Sequence, residues 1–227
     1  MVTVISLGGS IIAPDGVDVA FLAEFNQAIR TYLEKDEERK LILVCGGGAP
    51  ARVYQQAMKT LNDTTPSEAL DWLGIKATHL NAQLVKTLFG DLAPNEVVTD
   101  PTAEFTFDGR ILIAAGWKPG FSTDTDAVYL AERFDSQLII NLSNTAQVYT
   151  ADPKKDPNAK PLVTISWEEY RAMIGSDWTP GRSTPFDPVA STKADELGMS
   201  VVCADGRNIA NTVAVLEGDE FFGTTIA

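Results

Sequence analysis

A single histidine, His79, and two cysteines, Cys45 and Cys203, leave this chain too poor in nitrogen and sulfur ligands for a zinc centre. Both cysteines fall in apolar runs, which reads as buried, reduced thiols rather than a disulfide framework. Basic residues are scarce as well. Eighteen Lys and Arg stand against 31 Asp and Glu, a formal net charge of −13, which excludes a basic surface for nucleic acid. An anionic ligand must then be captured by local devices: backbone amides, a few Arg or Lys, and a divalent cation. No apolar run approaches the ~20 residues of a membrane span. The start, Met1 to Ile12, has neither a charged leader nor the long apolar stretch of a signal peptide. A soluble, cytoplasmic protein without membrane or nucleic-acid partners is expected. Two phosphate-binding patterns are also missing: there is no GxxxxGK[ST], and no GxGxxG opens the first helix.

What is present alternates regularly. Strand-like apolar runs at Val2–Leu7, Leu41–Cys45, Ile111–Ala115, Leu138–Leu142 and Met199–Ala204, and a short one at Glu96–Thr99, are separated by helical patterns. Those helices are read at Ala20–Leu33, Pro50–Leu61, Pro66–Phe89, Asp126–Phe134, Ser166–Ile174 and Val189–Leu197. In the third, Leu70, Leu73, Ile75, Leu80, Leu84, Val85 and Leu88 form the expected core stripe, and His79 is read as a surface or packing residue. Ser166 is an N-cap with Glu168 and Glu169 behind it, and Gly198 stops its helix. The alternation predicts a single α/β domain over 1–227 with a mostly parallel sheet. The 227 residues suffice for a sizeable core.

Two of the strands end in glycine: Gly8-Gly9-Ser10 after the first and Gly46-Gly47-Gly48 after the second. In doubly wound sheets ligands bind beyond the carboxyl ends of the strands. Arg52, one turn after the triple glycine, is placed either to reach a phosphate or to make a surface ion pair. The run Gly116-Trp117-Lys118-Pro119-Gly120-Phe121-Ser122-Thr123-Asp124 joins a buried strand to a helix. Its glycines allow close approach of a ligand, and Ser122, Thr123 and Asp124 cap the helix, whose N-terminus suits a phosphate. Asp71 is a helix carboxylate able to accept hydrogen bonds from hydroxyls. Val148 to Pro157 is a proline-punctuated segment, either a lid over a base or an ordinary surface loop. The stretch Gly175–Pro188 is turn-rich.

Taken together and in order, Leu7-Gly8-Gly9-Ser10, the triple glycine with Arg52, Asp71-Trp72-Leu73-Gly74-Ile75, Pro119 to Asp124, Tyr149 to Lys154, Asp187-Pro188-Val189-Ala190 and Gly223-Thr224-Thr225-Ile226 resemble the amino acid kinase superfamily. Within it the chain looks like the uridylate (UMP) kinases of archaeal type, over nearly its whole length. The resemblance implies an αβα sandwich of pyrimidine biosynthesis that moves the ATP γ-phosphoryl group to UMP, with Mg²⁺. It implies an acceptor half, 1–136, and an ATP half, 137–227. On the acceptor side it implicates Gly47, Asp71, Trp117, Lys118, Pro119, Gly120, Phe121, Ser122 and Thr123. On the ATP side it implicates Gly8, Gly9, Ser10, Gly48, Arg52, Ser143, Asn144, Tyr149 and Asp152. Arg52, Lys118 and Asp124 are the catalytic candidates, with no protein-held metal ligand, and a homo-oligomer, a hexamer, is implied. Many members carry a lysine on the first strand; here that region is Ile5-Ser6-Leu7. The archaeal-type UMP kinases also lack it, which leaves the cation open, with Lys118 and Arg52 as candidates. Other departures are Trp117 in the central loop, Ala146-Gln147 before the Val-Tyr pair, and Thr192 with Lys193 behind the Asp-Pro segment. A different phosphate or carboxylate acceptor, or a nucleotide-binding protein without catalysis, are the alternative readings.

Overall fold

Runs of mostly β-branched and aliphatic residues without strict polar alternation are satisfied where a sheet is covered on both faces. The computed structural model, which describes residues 2–153, 155–175 and 184–227, has this architecture. Five parallel strands, β1 (Val2–Leu7), β2 (Lys40–Cys45), β3 (Ile111–Ala114), β4 (Leu138–Ser143) and β8 (Ser200–Asp205), form the centre of the sheet. β9 (Thr224–Ile226) runs antiparallel to β8 and parallel to β7 (Thr164–Ile165). The order across the sheet is β3-β2-β1-β4-β8-β9-β7. A separate hairpin joins β5 (Val148–Tyr149) to β6 (Pro161–Leu162).

Alternate residues of each strand point to opposite layers. Ile5, Leu7, Leu41, Leu43, Ile113 and Ile140 meet α2 (Val19–Glu34), α4 (Ser67–Phe89) and α8 (Ile209–Glu217) through Phe25, Ile29, Val85, Phe89 and Val215. Val4, Ile42, Val44, Leu112, Ile139 and Val201 meet α5 (Thr123–Arg133), α6 (Trp167–Ile174) and α7 (Pro188–Glu196) through Ala127, Val128, Tyr170 and Ala190. The result is the expected αβα sandwich. Fully buried side chains such as Phe25 and Phe89 each contribute roughly 2–3 kcal/mol. Two elements lie outside these layers: the short α1 (Gly9–Ile12) and α3 (Gly48–Leu61), which packs on α4 with Gln55 donating to the Leu70 carbonyl at 3.0 Å.

Helix starts follow the capping chemistry. Ser166 and Glu169 make a reciprocal capping box at α6, Asp187 with Pro188 opens α7, and Gly198 follows α7 at φ 65°. Tyr170, fully buried, donates its hydroxyl to the Phe186 carbonyl at 2.8 Å and accepts the Phe186 N–H at 2.7 Å, fixing the backbone just before Asp187.

Three expectations need correction. Of the strand expected at Glu96–Thr99 only Val98 pairs, as an isolated bridge to Ala114, because the chain enters and leaves through Pro94 and Pro101. On α4, Leu80 and Leu84 are exposed, and the buried side is Ile75, Thr78, Asn81, Ala82, Val85 and Phe89. A spacing rule selects the wrong apolar stripe because small polar residues are drawn inward by the glycine loops. The helix α8 has no counterpart among the elements expected from the sequence. Of the turn-rich stretch 175–188, residues 176–183 lie outside the described residues, as does Lys154 of the Tyr149–Lys154 motif. No helix among the described residues is long and apolar enough to cross a membrane.

Candidate active site

The strand order reverses at β1: β2 and β3 lie to one side of it, β4 and β8 to the other. The carboxyl ends of β1 and β4 therefore open a crevice. The two glycine loops meet there, backbone on backbone. Gly8 N–H donates to the Leu142 carbonyl and Gly46 N–H to that of Leu7, both at 2.9 Å. A Cβ on Gly9 would stand 2.0 Å from Gly48 N, and one on Gly48 would stand 2.2 Å from Gly9 O at a φ of +64°. Only glycine fits at either place. Gly8, Gly9, Ser10, Gly47 and Gly48 are thus brought to one spot. Ser143 adjoins it, its Cα 3.6 Å from where a Gly8 Cβ would lie, and Asn144 follows. Arg52 stands on the first turns of α3, exposed, with Nη2 donating to the Pro14 carbonyl at 3.0 Å.

On the β2–β3 side, α4 holds the loops. Asn81 Nδ2 donates to the carbonyls of Gly46 at 2.7 Å and Gly47 at 3.1 Å. Thr78 Oγ1 accepts the Gly116 N–H at 2.8 Å, and His79 Nε2 lies 2.8 Å from the Gly116 carbonyl. His79 therefore has the packing role expected, at the root of the loop that leaves β3. Further along, Gly120 N–H reaches Asp71 Oδ2 at 3.3 Å, so Asp71 faces the loop, and burial raises its pKa despite that bond. Trp117 does not enter the crevice from this loop. Its ring packs on Phe121 and Tyr129, centroids 5.1 and 6.0 Å apart. Lys118 Nζ rests 3.6 Å from the Trp117 centroid and 4.9 Å from that of Phe121.

At the head of α5 lies a cluster of carboxyl groups. Asp124 accepts from Ser6 Oγ at 3.0 Å and from the Asp187 N–H at 3.3 Å. Asp187 takes the Ser122 hydroxyl, Thr125 Oγ1 at 3.1 Å and the Ala190 N–H at 2.9 Å. Burial, and for Asp124 also the charge of Asp187, raises the pKa of both, because two carboxylates this close cannot both ionise cheaply. Asp126, 1% exposed, is pushed up to about 8, first by burial and then by the charges of Asp124, Asp187 and Asp100, against the pull of the Trp117 N–H. Ser122 Oγ caps α5 by accepting from Asp124 N and Thr125 N, and its proton goes to Asp187. That hydroxyl is fully engaged. Ser122 N–H and Thr123 N–H keep no partner among the described residues and stand at the helix start.

Such a pair of glycine cradles beside a helix N-terminus suits the positioning of phosphates. A model of the amino acid kinase family matches residues 1–205. This chain belongs to the amino acid kinase family. It is similar to the uridylate kinase of Thermococcus sibiricus, 38% identical over 214 residues and 92% of each chain. It is also similar to that of Methanospirillum hungatei JF-1, 35% identical over 98% of this chain and 93% of the relative. Among solved structures, the uridylate kinase of Archaeoglobus fulgidus superposes with a TM-score of 0.82 at 26% identity over the full length of both.

Tyr149 and Asp152 lie on the β5–β6 hairpin, whose base Gln147 fixes by donating to the Gly223 carbonyl at 2.9 Å while Val148 N–H bonds Thr224 Oγ1 at 2.8 Å. Asp152 forms a long ion pair with Lys155 at 3.7 Å. Lys193 points away, pairing with Glu132 at 2.7 Å over the Tyr129 ring. Sequence reasoning does not find Ser6, Thr78, Asn81 or Asp126, and it places Asp187 in a motif but not in the site. Asp187 carries a signal, an Asp-Pro before a helix. Asp126 carries none. Among the described residues no group of three or more His, Cys, Asp or Glu stands ready to hold a metal ion, and the oxygens of Asp124 and Asp187 already accept from hydroxyls and amides. The side chains present do not form a magnesium cage.

Proposed function

We propose that this chain transfers the γ-phosphoryl group of ATP to UMP, giving UDP and ADP. The observation that carries the reading is the contact between the Gly8–Gly9 and Gly46–Gly48 loops at the β1/β4 crevice, with the head of α5 beside them. The near-full-length relatives carry the name uridylate kinase. Phosphoryl transfer asks for in-line placement and charge stabilisation rather than a covalent intermediate, and amide cradles with mobile cations supply both. The acceptor half, 1–136, would seat UMP between Gly47, Asp71 and the Trp117–Thr123 loop, its phosphate on Thr123 N–H. The donor half, 137–227, would seat the adenosine near Ser143, Asn144, Tyr149 and Asp152, with the triphosphate on Gly8, Gly9, Ser10 and Gly48. Magnesium enters as MgATP, on the substrate. Arg52 and Lys118 carry the cations, each anchored weakly enough to swing onto a phosphate: one by a single carbonyl, the other by ring faces. Asp124, bonded to Ser6 and to the Asp187 amide, fixes the head of α5.

The same reading includes a cytoplasmic homo-oligomer, with a hexamer as the expected form. Val53, Tyr54 and Leu61 on α3 and Trp72, Leu80 and Leu84 on α4 are exposed, an apolar surface larger than scattered single residues. Light scattering on purified protein tests it: a monomer at micromolar concentration removes this part.

A coupled ADP-release assay with MgATP across UMP, CMP, other nucleoside monophosphates and small phosphate or carboxylate acceptors tests the activity. UMP-dependent ADP release above all others is the expected result. Turnover of another acceptor in preference to UMP, or nucleotide binding with no turnover at all, overturns it.

A further inference from the structure

We propose that Asp126 is a positioning residue for the acceptor loop, acting through the Trp117 peptide, and so determines the affinity for the acceptor without touching it; this rests on the reading of the loop as the UMP-binding segment. The bland account of an aspartate in the first turn of α5 is a favourable charge at a helix N-terminus. Such acids sit in solvent. Asp126 is instead 1% exposed, and its Oδ1 has no hydrogen-bond partner among the described residues. Buried polar atoms are rarely left unpaired, so an exception points to something the side chain must do there. Its one bond is informative: Oδ2 accepts the Trp117 N–H at 3.2 Å.

Trp117 is where the loop gains its direction. The preceding residue, Gly116, has both peptide groups held by α4, through Thr78 Oγ1 and His79 Nε2. Asp126 holds the next N–H from the opposite layer, α5. The chain is thus clamped between two helices over two consecutive residues, and residues 118–121 inherit that geometry. The Lys118 ammonium lies over the Trp117 and Phe121 rings, the Phe121 N–H reaches the Lys118 carbonyl at 3.2 Å, and the Gly120 N–H rests on Asp71. The indole packs separately on Phe121 and Tyr129. Released from Asp126, the Gly116–Trp117 peptide can rotate and carries Lys118 and Gly120 with it. The groups facing Asp126 are Asp124 on its own helix, Asp187 at the head of α7 and Asp100 ahead of β3, all acidic; the nearest cation on the loop, Lys118, is on the rings. No ion pair with Asp126 competes for its oxygens among the described residues.

The test compares Asp126→Ala and Asp126→Asn with wild type. Asp126→Ala is expected to raise KM for UMP by about tenfold or more while KM for ATP stays within about twofold, and Asp126→Asn, which keeps an oxygen for the Trp117 N–H, to return KM for UMP to within about threefold of wild type. Hydrogen exchange should show peptides over 116–121 losing protection in the alanine variant and regaining it in the asparagine variant. If alanine does not fold, Asp126→Ser, too short to reach the Trp117 N–H, is measured in its place. Unchanged KM for UMP, equal rises in both KM values, or no rescue by asparagine overturns the proposal. Failure of the UMP reading looks different: wild type itself then shows no UMP-dependent turnover, and loop protection alone decides the role of Asp126.

Discussion

The backbone N–H of Asp187 donates to Asp124 Oδ2 at 3.3 Å, joining the start of α7 to the start of α5 across the middle of the molecule. Each of these residues heads its helix, and each carboxyl is pushed toward its protonated form by burial. The contact ties the two helix starts through one peptide group and one carboxyl.

Asp124→Asn removes the acidic member while keeping its shape. The kcat for UMP phosphorylation is expected to fall by about 10²-fold or more, with both KM values within about threefold, because the geometry at the head of α5 matters most in the transition state. Steady-state kinetics with UMP and ATP varied separately check this. Equal loss in kcat and binding would mean that Asp124 only holds the fold.

Gly9→Ala and Gly120→Ala separate close packing from backbone strain. At Gly9 the new methyl meets the Gly48 backbone at 2.0 Å, and no side chain can turn aside. Destabilisation of more than about 2 kcal/mol and loss of ATP binding are expected. At Gly120 nothing lies within 4 Å, and only the φ of +87° resists. That costs about 1 kcal/mol, with ATP binding intact. Urea unfolding and nucleotide titration give both answers.

Arg52 is exposed and bonded only to the Pro14 carbonyl among the described residues. Arg52→Ala is therefore expected to leave the melting temperature within about 1 °C, while raising KM for ATP about tenfold. Calorimetry and kinetics on the same preparation check it; a large drop in melting temperature would assign Arg52 to the fold instead.

Asp126 makes stability depend on pH with a definite sign. In the fold it keeps its proton up to about 8, whereas an unfolded aspartate loses it near pH 4. Between those values the folded state binds more protons, so the unfolding free energy falls as pH rises through that window, by up to about 1.4 kcal/mol per pH unit, and levels off above it. Asp124, also shifted upward, acts in the same direction. Denaturation at about pH 5 and about pH 8 should show wild type losing stability and Asp126→Asn losing distinctly less. A flat wild-type profile would contradict the burial of a protonated carboxyl.

The central strands are readable because a parallel sheet covered on both faces leaves no alternation to misread. Val2–Leu7 matches its residues outright, the next three differ by one end residue, and Met199–Ala204 is shifted by one, whereas Glu96–Thr99 is reduced to a bridge. The glycine loops and the capping residues Ser122 and Ser166 are legible because local backbone chemistry demands those types there. Asp126 is not, since a buried acid and a solvated one look alike on a helix until its neighbours are known. Nor is the inward turn of Thr78 and Asn81, whose partners are the carbonyls and amides of loops 30 or more residues away. Leu80 and Leu84 satisfy the helical period as well as the true core residues do, yet both face solvent. Ser122 shows a subtler limit: its cap role can be read, but not that Asp187 would claim its one proton.

Thr78, His79 and Asn81 occupy a single turn of α4, and between them they grip Gly46, Gly47 and Gly116. Leu80, in the midst of that turn, is 68% exposed on the opposite side. One turn of one helix therefore sets the spacing between the loop after β2 and the loop after β3, so neither can be placed independently of the other.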